Sequence, residues 1–167
     1  MFTVFRLPFT VTKLTILPIE TGADNPILRK KTELVPKVTK EILKLLKDME
    51  ESMREEEGMG IAAPQVGVSL RVCLAMFNKK LTPMINPQIT WKSKETDKVE
   101  EGCLSLPGVN VDVTRPTEIT VKYLDARGKE QERRLEGVDA RIVQHEIDHL
   151  NNVLIVDYVS STSVISA

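Results

Sequence analysis

The stretch Val138-Asp139-Ala140-Arg141-Ile142-Val143-Gln144-His145-Glu146-Ile147-Asp148-His149-Leu150 decides how the rest of the chain has to be arranged. At 100° per residue, Val138, Ile142, Val143, Ile147 and Leu150 share one broad face, so the spacing predicts a helix over 138–150. His145, Glu146 and His149 fall inside that same apolar face. Burying two imidazoles and a carboxylate is costly unless each finds a partner or an ion. On a helix, positions i and i+4 lie one above the other, so both imidazoles can reach one cation. The glutamate next to the first of them can reach water on that cation without being a ligand, the logic of an HExxH site. The plainer alternative is two core histidines satisfied by backbone or carboxylate. These are the only histidines in the chain and they stand at ligand spacing, which favours the metal.

A catalytic cation takes about three protein ligands and keeps a position for water. HExxH proteases find their third ligand downstream, but here the only downstream carboxylate is Asp157. Upstream stands Cys103, in Glu101-Gly102-Cys103-Leu104-Ser105-Leu106-Pro107. A thiolate is a good ligand for zinc or ferrous iron, and coordination keeps it deprotonated. Cys73 sits in the apolar run Arg71-Val72-Cys73-Leu74-Ala75 and reads as an inert core cysteine. Glu101 and Asp148 are candidates to orient the ligand imidazoles through their other ring nitrogen. Arg141 is a candidate partner for a carboxylate.

Working outward, residues 37–57 carry apolar side chains at Val38, Ile42, Leu45, Leu46, Met49 and Met53, a helical spacing. Pro36 suits its first turn and Gly58 its stop. Gly58-Met59-Gly60-Ile61-Ala62-Ala63-Pro64-Gln65-Val66-Gly67 is too rich in Gly and Pro for a regular element and contains no phosphate-binding GK[ST]. Its small residues let backbone approach a ligand, and Gln65 offers a neutral donor suited to an oxyanion. Residues 70–77 read as a buried strand. Residues 84–86 and 88–92 read as short strands, with Pro83 and Pro87 restricting pairing. Val109 to Val113 alternates, and residues 118–124 and 130–135 flank Asp125-Ala126-Arg127-Gly128 as a hairpin. The expected class is α+β: antiparallel β-sheets wrapped around a central HExxH-bearing helix, with one N-terminal helix.

The 167 residues suit one domain able to bury a core without disulfides. Expected bounds are an N-terminal extension at 1–13, loosely ordered, a single catalytic domain at 14–160 and a frayed tail at 161–167. A net charge of −1 argues against a nucleic-acid protein that binds by bulk charge. Arg29, Lys30 and Lys31 read as a solvated loop. Two cysteines without a CxxC pair point to a reducing compartment, and no apolar run reaches membrane-spanning length.

HExxH alone leaves a metalloprotease open. Three segments together, GMGIAAPQ at 58–65, EGCLS at 101–105 and QHEIDH at 144–149, resemble the peptide deformylase family. That family's pattern is Gly-x-Gly-φ-Ala-Ala-x-Gln, Glu-Gly-Cys-Leu-Ser and Gln-His-Glu-x-Asp-His, in this order, and all three are complete here. Asn25-Pro26-Ile27-Leu28-Arg29 is similar to its N-terminal segment, so the resemblance covers residues 14–159. It implies that Cys103, His145 and His149 hold one divalent cation, usually ferrous iron, with zinc, nickel or cobalt as replacements and water in the fourth position. It implies Glu146 as general base and then acid, Gln65 and the Leu104 N–H as oxyanion donors, and Gly60 beside the substrate. The implied substrate is the N-formyl-methionine end of a nascent polypeptide, which would release formate. A cytoplasmic, bacterial-type location follows, without a stable nucleic-acid or membrane partner. The resemblance also implies a transient ribosome contact in relatives that continue into a C-terminal helix, and no such helix is expected of the stretch after Ser160.

Overall fold

The computed structural model describes residues 15–159. The extension expected at 1–13, the tail expected at 161–167 and the end residues of the 14–160 domain lie outside them.

The first helix, α1 (Lys40–Glu55), buries Ile42, Leu46, Met49 and Met53 along one face. It starts three residues later than expected, after Thr39 in extended conformation. The chain around Pro36 is committed elsewhere. Asn86 donates from Nδ2 to the Val35 carbonyl at 2.8 Å and accepts from the Val35 N–H at 2.9 Å. The helix stop also differs from expectation. Glu57, not Gly58, takes the left-handed conformation, with φ 53°. The Glu57 N–H donates to Arg54 O at 3.1 Å and the Gly58 N–H to Met53 O at 2.9 Å. That pair of bonds satisfies carbonyls the helix end leaves free. Gly58 is needed for space: a Cβ there would lie 3.0 Å from Leu104 Cδ1 and 3.2 Å from Met53 Cγ.

Beyond α1 the chain builds β1 (Gly60–Ala62), a 3-10 turn (Ala63–Val66) and β2 (Val72–Phe77). The Gly/Pro-rich segment thus forms short regular pieces where irregular chain was expected. β2 shows why its sequence is apolar throughout. Cys73, Ala75 and Phe77 face one cluster, and Val72 and Leu74 face another that contains Ile42, Leu46, Met49 and Met53 of α1. A strand buried on both faces cannot alternate with polar residues.

β3 (Lys80–Lys92) joins the two short strands expected on either side of Pro87. Pro87 is absorbed by irregular register between Ile85 and Gln88 and by the positive φ of Asn86, 53°, while Pro83 keeps regular register opposite Leu74. β4 (Thr96–Gly102) was not expected. All its residues but Glu101 are exposed, so it carries no alternation to read. It pairs with β5 (Asn110–Pro116), which extends past the expected 109–113. β6 (Glu118–Leu124) and β7 (Glu130–Glu136) form the expected hairpin.

The strands make a five-stranded antiparallel sheet, β1-β2-β3-β6-β7, and a two-stranded sheet, β4-β5. The second helix, α2 (Gly137–Leu150), lies between them, against β1, β2 and β7 on one side and β5 on the other. Its Ala140, Val143, Ile147 and Leu150 fill the cluster under Cys73, Ala75, Val121 and Leu135. The architecture is α+β, with antiparallel sheets around the HExxH-bearing helix and one N-terminal helix. Among the described residues no helix is long and apolar enough to cross a membrane.

The last turn (Ile155–Tyr158) is tied to the N-terminal segment. Arg29 grips both carboxylate oxygens of Asp157, at 2.6 and 3.0 Å, so it is not the solvated loop residue expected. That hydrogen bond, with help from the Leu154 N–H, holds the Asp157 carboxyl below its ordinary range. A depressed pKa contributes stability that is complete above the ordinary aspartate value, about 3.9, and is lost as pH falls through the folded value. Solvent screens this half-exposed pair, so the effect is small. Asp157→Asn should therefore melt below wild type at pH 7, with the gap closing as pH falls towards 3. Thermal melts across that range check it, and a gap that persists unchanged at pH 3 contradicts it.

Candidate metal centre

Two elements deliver the three donors. His145 and His149 stand one turn apart on α2, and Cys103 follows β4 in the loop that turns into β5. Their ligand atoms all lie within 4.8 Å of one another. Cys103 Sγ is 3.2 Å from His149 Nε2, and the two imidazole centroids are 5.1 Å apart. One thiol and two imidazoles fit a divalent transition metal or zinc, and three donors leave a position for water. Coordination requires a thiolate and two neutral imidazoles, so loading the site releases protons.

Glu101 fixes one of the imidazoles. Its Oε2 lies 2.9 Å from His145 Nδ1, which leaves Nε2 of that ring towards Cys103. The same carboxylate accepts from Arg115 at 2.6 and 2.9 Å and from Arg141 at 2.6 Å. Burial works to raise the Glu101 pKa, but the bonds from Arg115, His145 and Arg141 outweigh it and hold the group well below the usual carboxylate range. The two imidazoles diverge. Burial would lower His145, yet its bonds to Cys103 and Glu101 push it up to about 10. His149 is driven well down by burial and by the neighbouring charges. His149 Nδ1 has no hydrogen-bond partner among the described residues.

Asp148 does not orient an imidazole, contrary to expectation. It sits about 100° round the helix from His149 and points to the other side. There its Oδ2 accepts from Arg115 and from the Tyr158 hydroxyl, both at 2.8 Å. Arg115, 3% exposed, is the residue the sequence reading missed. A signal for it existed. Val111, Val113 and Arg115 occupy successive inward positions of β5, so the apolar alternation runs on into an arginine.

Glu146 behaves differently from every other acid nearby. It is 4% exposed, and its Oε2 has no hydrogen-bond partner among the described residues. Burial pushes its pKa up to about 7, against the pull of His145 and Arg115. The backbone of β1 makes room for it. A Cβ on Gly60 would stand 2.3 Å from Glu146 Oε1. Gln65 closes the opposite wall: Nε2 lies 3.8 Å from Cys103 Sγ and donates to Ser105 Oγ at 3.2 Å, while Oε1 accepts the Ala62 N–H at 2.9 Å. The Leu104 N–H makes no hydrogen bond among the described residues. These groups open into a groove of about 550 Å³ with apolar walls at Met59, Leu106, Val138 and Ile142. The structure thus brings Gly60, Gln65, Cys103, Leu104, His145, Glu146 and His149 to one place, with Gly60 packed against Glu146 and Asp148 turned away.

Removing Arg115 would leave Glu101 and Asp148 without their shared cation, and breaking a buried pair this way costs about 3–5 kcal/mol. Arg115→Ala should lose that much stability in denaturant melts. A loss under about 1 kcal/mol, the surface-pair range, would show that the network is not a buried one.

The likeness to known proteins agrees with this geometry. Residues 16–164 match the profile of the family described as Polypeptide deformylase. A peptide deformylase of Pseudothermotoga lettingae is 46% identical over 138 residues, covering 83% of this chain and 80% of that protein. The crystal structure of peptide deformylase from Thermotoga maritima matches with TM-score 0.83 at 42% identity, covering 87% of this chain and 98% of that one. A class I type b peptide deformylase from Acinetobacter baumannii, solved with Met-Ala-Ser bound, matches with TM-score 0.83 at 34% identity, covering 88% of this chain and 100% of that one. With a family profile along most of its length and relatives this similar, the chain belongs to the polypeptide deformylase family of amide hydrolases.

Proposed function

We propose that the chain removes the N-formyl group from the N-terminal methionine of newly made polypeptides, releasing formate. The observation that carries this reading is the buried, unpartnered Glu146 Oε2 in the same groove as the Cys103-His145-His149 donor set. The Met-Ala-Ser peptide in the Acinetobacter baumannii relative supports a peptide amino terminus as the occupant. On this reading Cys103, His145 and His149 hold one divalent cation, ferrous iron in the cell, with zinc, nickel or cobalt able to replace it. Such a cation, when bound, supplies Lewis acidity that acidifies water and polarises the formyl oxygen.

The side chains do the rest. The apolar side chains of Met59, Val138 and Ile142 along the groove suit an unbranched thioether side chain. Glu146 Oε2 accepts a proton as the water oxygen bonds to the formyl carbon. With no other hydrogen-bond partner on Oε2 among the described residues, this carboxylate is free to take a proton and to give it back. The carbonyl electron pair moves onto oxygen, where Gln65 Nε2 and the Leu104 N–H donate to it. Glu146 then returns its proton to the amide nitrogen as the C–N bond breaks. One water is consumed, and formate and a free amino terminus leave. Cys103 as third donor and Gln65 opposite it separate this site from an HExxH protease.

Formate should appear from formyl-Met-Ala, and the unformylated peptide should stay intact. Peptide cleavage without formate overturns the reading. Glu146→Ala should keep its metal and lose turnover by about 10²- to 10⁴-fold, the usual worth of a positioned acid/base. Cys103→Ala should instead lose metal, which elemental analysis reads directly. Gly60→Ala forces its new methyl against Glu146 Oε1, so metal content should hold while turnover falls towards the Glu146→Ala level. A Gly60→Ala enzyme with wild-type turnover would show that the carboxylate position does not matter.

A further inference from the structure

Gln65 has a long, flexible side chain, and an amide that must donate to a developing charge has to be aimed beforehand. We propose that Ser105 is the positioning residue that aims the Gln65 amide, an inference that rests on the role given to Gln65 above.

Three contacts act on the amide. The Ala62 N–H donates to Gln65 Oε1 at 2.9 Å, which decides which end of the amide is nitrogen. A flipped amide would set donor against donor at Ala62. Ser105 Oγ accepts from Nε2 at 3.2 Å, which anchors the nitrogen end of the same amide plane. With one N–H spent on Ser105, the other is directed to the side of Cys103 Sγ, 3.8 Å from Nε2. Gln65 is 2% exposed and Ser105 fully buried, so bulk water does not compete for these bonds. Ser105 is not among the groove-lining residues and acts only through its neighbour.

The two carriers are also held at a set distance by a third piece of chain. The Glu20 N–H donates to the Gln65 carbonyl at 2.8 Å, and the Gly22 N–H donates to the Ser105 carbonyl at 2.9 Å. One short strap therefore spans the 3-10 turn that carries Gln65 and the loop that carries Ser105. The hydroxyl meets the amide because their backbones are already fixed to each other. Donors held in place before the reaction need no reorganisation during it.

The test is a double-mutant cycle on the metal-loaded enzyme, with formyl-Met-Ala as substrate and rates expressed per bound metal. Ser105→Ala should lower kcat about fivefold, the worth of one neutral hydrogen bond, with KM unchanged. Gln65→Leu should lower kcat about 10²- to 10³-fold as a lost oxyanion donor. In the Gln65→Leu background, Ser105→Ala should cost nothing further. The proposal is overturned if Ser105→Ala leaves wild-type kcat intact, or if it slows both backgrounds by the same factor, which a merely structural loss would do. Should Ser105→Ala fail to fold in thermal melts, Ser105→Cys, a weaker acceptor, takes its place in the cycle under the same criteria. A Gln65→Leu enzyme as fast as wild type removes the role of Gln65 and this inference with it. Absence of formate from the wild-type enzyme overturns the functional reading itself.

Discussion

The Glu101 carboxylate holds the site together. It is 8% exposed and receives Arg115, Arg141 and His145 at once. These residues come from β4, β5 and α2, and Arg115 continues through Asp148 to Tyr158 in the last turn. Taking such charges out of water is expensive, and attraction repays it only where geometry and hydrogen bonding are complete. Here every Glu101 oxygen is satisfied twice. The network thus fixes the position of the two-stranded sheet on α2, and with it the distance from Cys103 to the histidines. The one ligand imidazole without such a partner, His149, is instead enclosed by burial.

Against this saturated cluster, Glu146 is isolated. It sits one residue from His145 on the same helix, yet its environment has the opposite logic: low exposure, no donor on Oε2, and a raised pKa. The pKa values of two carboxylates close in space are pushed in opposite directions, Glu101 down by the bonds from Arg115, His145 and Arg141, Glu146 up by desolvation. Close backbone approach makes this feasible. Gly60 replaces a side chain with empty space that the carboxylate fills, and Gly58 does the same for Leu104 and Met53. The glycines of GMG are therefore packing requirements, since neither has the positive φ that favours glycine.

How much of this could be read in advance depended on whether neighbours in sequence are neighbours in space. α2 was legible because a 3.6-residue period places His145 and His149 on one face whatever surrounds the helix. The β6–β7 hairpin was legible because its turn residues and alternation are local. β4 was not, since a strand exposed at every residue but Glu101 has no alternation to detect. The union of two short strands into β3 was hidden by Pro87, whose accommodation involves the positive φ of Asn86 and its long-range bonds to Val35. The start of α1 was misplaced for the same reason.

The sequence by itself determined the family and pointed to the candidate donor set and the candidate base. Donor chemistry and helical spacing are properties of residue identity, and three complete motifs in order leave little freedom. Only the tertiary structure decided which polar groups are shared and which are left alone. Arg115 became the hub of the cluster, Asp148 turned away from the imidazoles, Arg29 closed on Asp157, and Glu146 kept an oxygen unpaired. Partner choice among buried charges is settled by distance and desolvation between segments far apart in the chain, and neither quantity is written in local sequence.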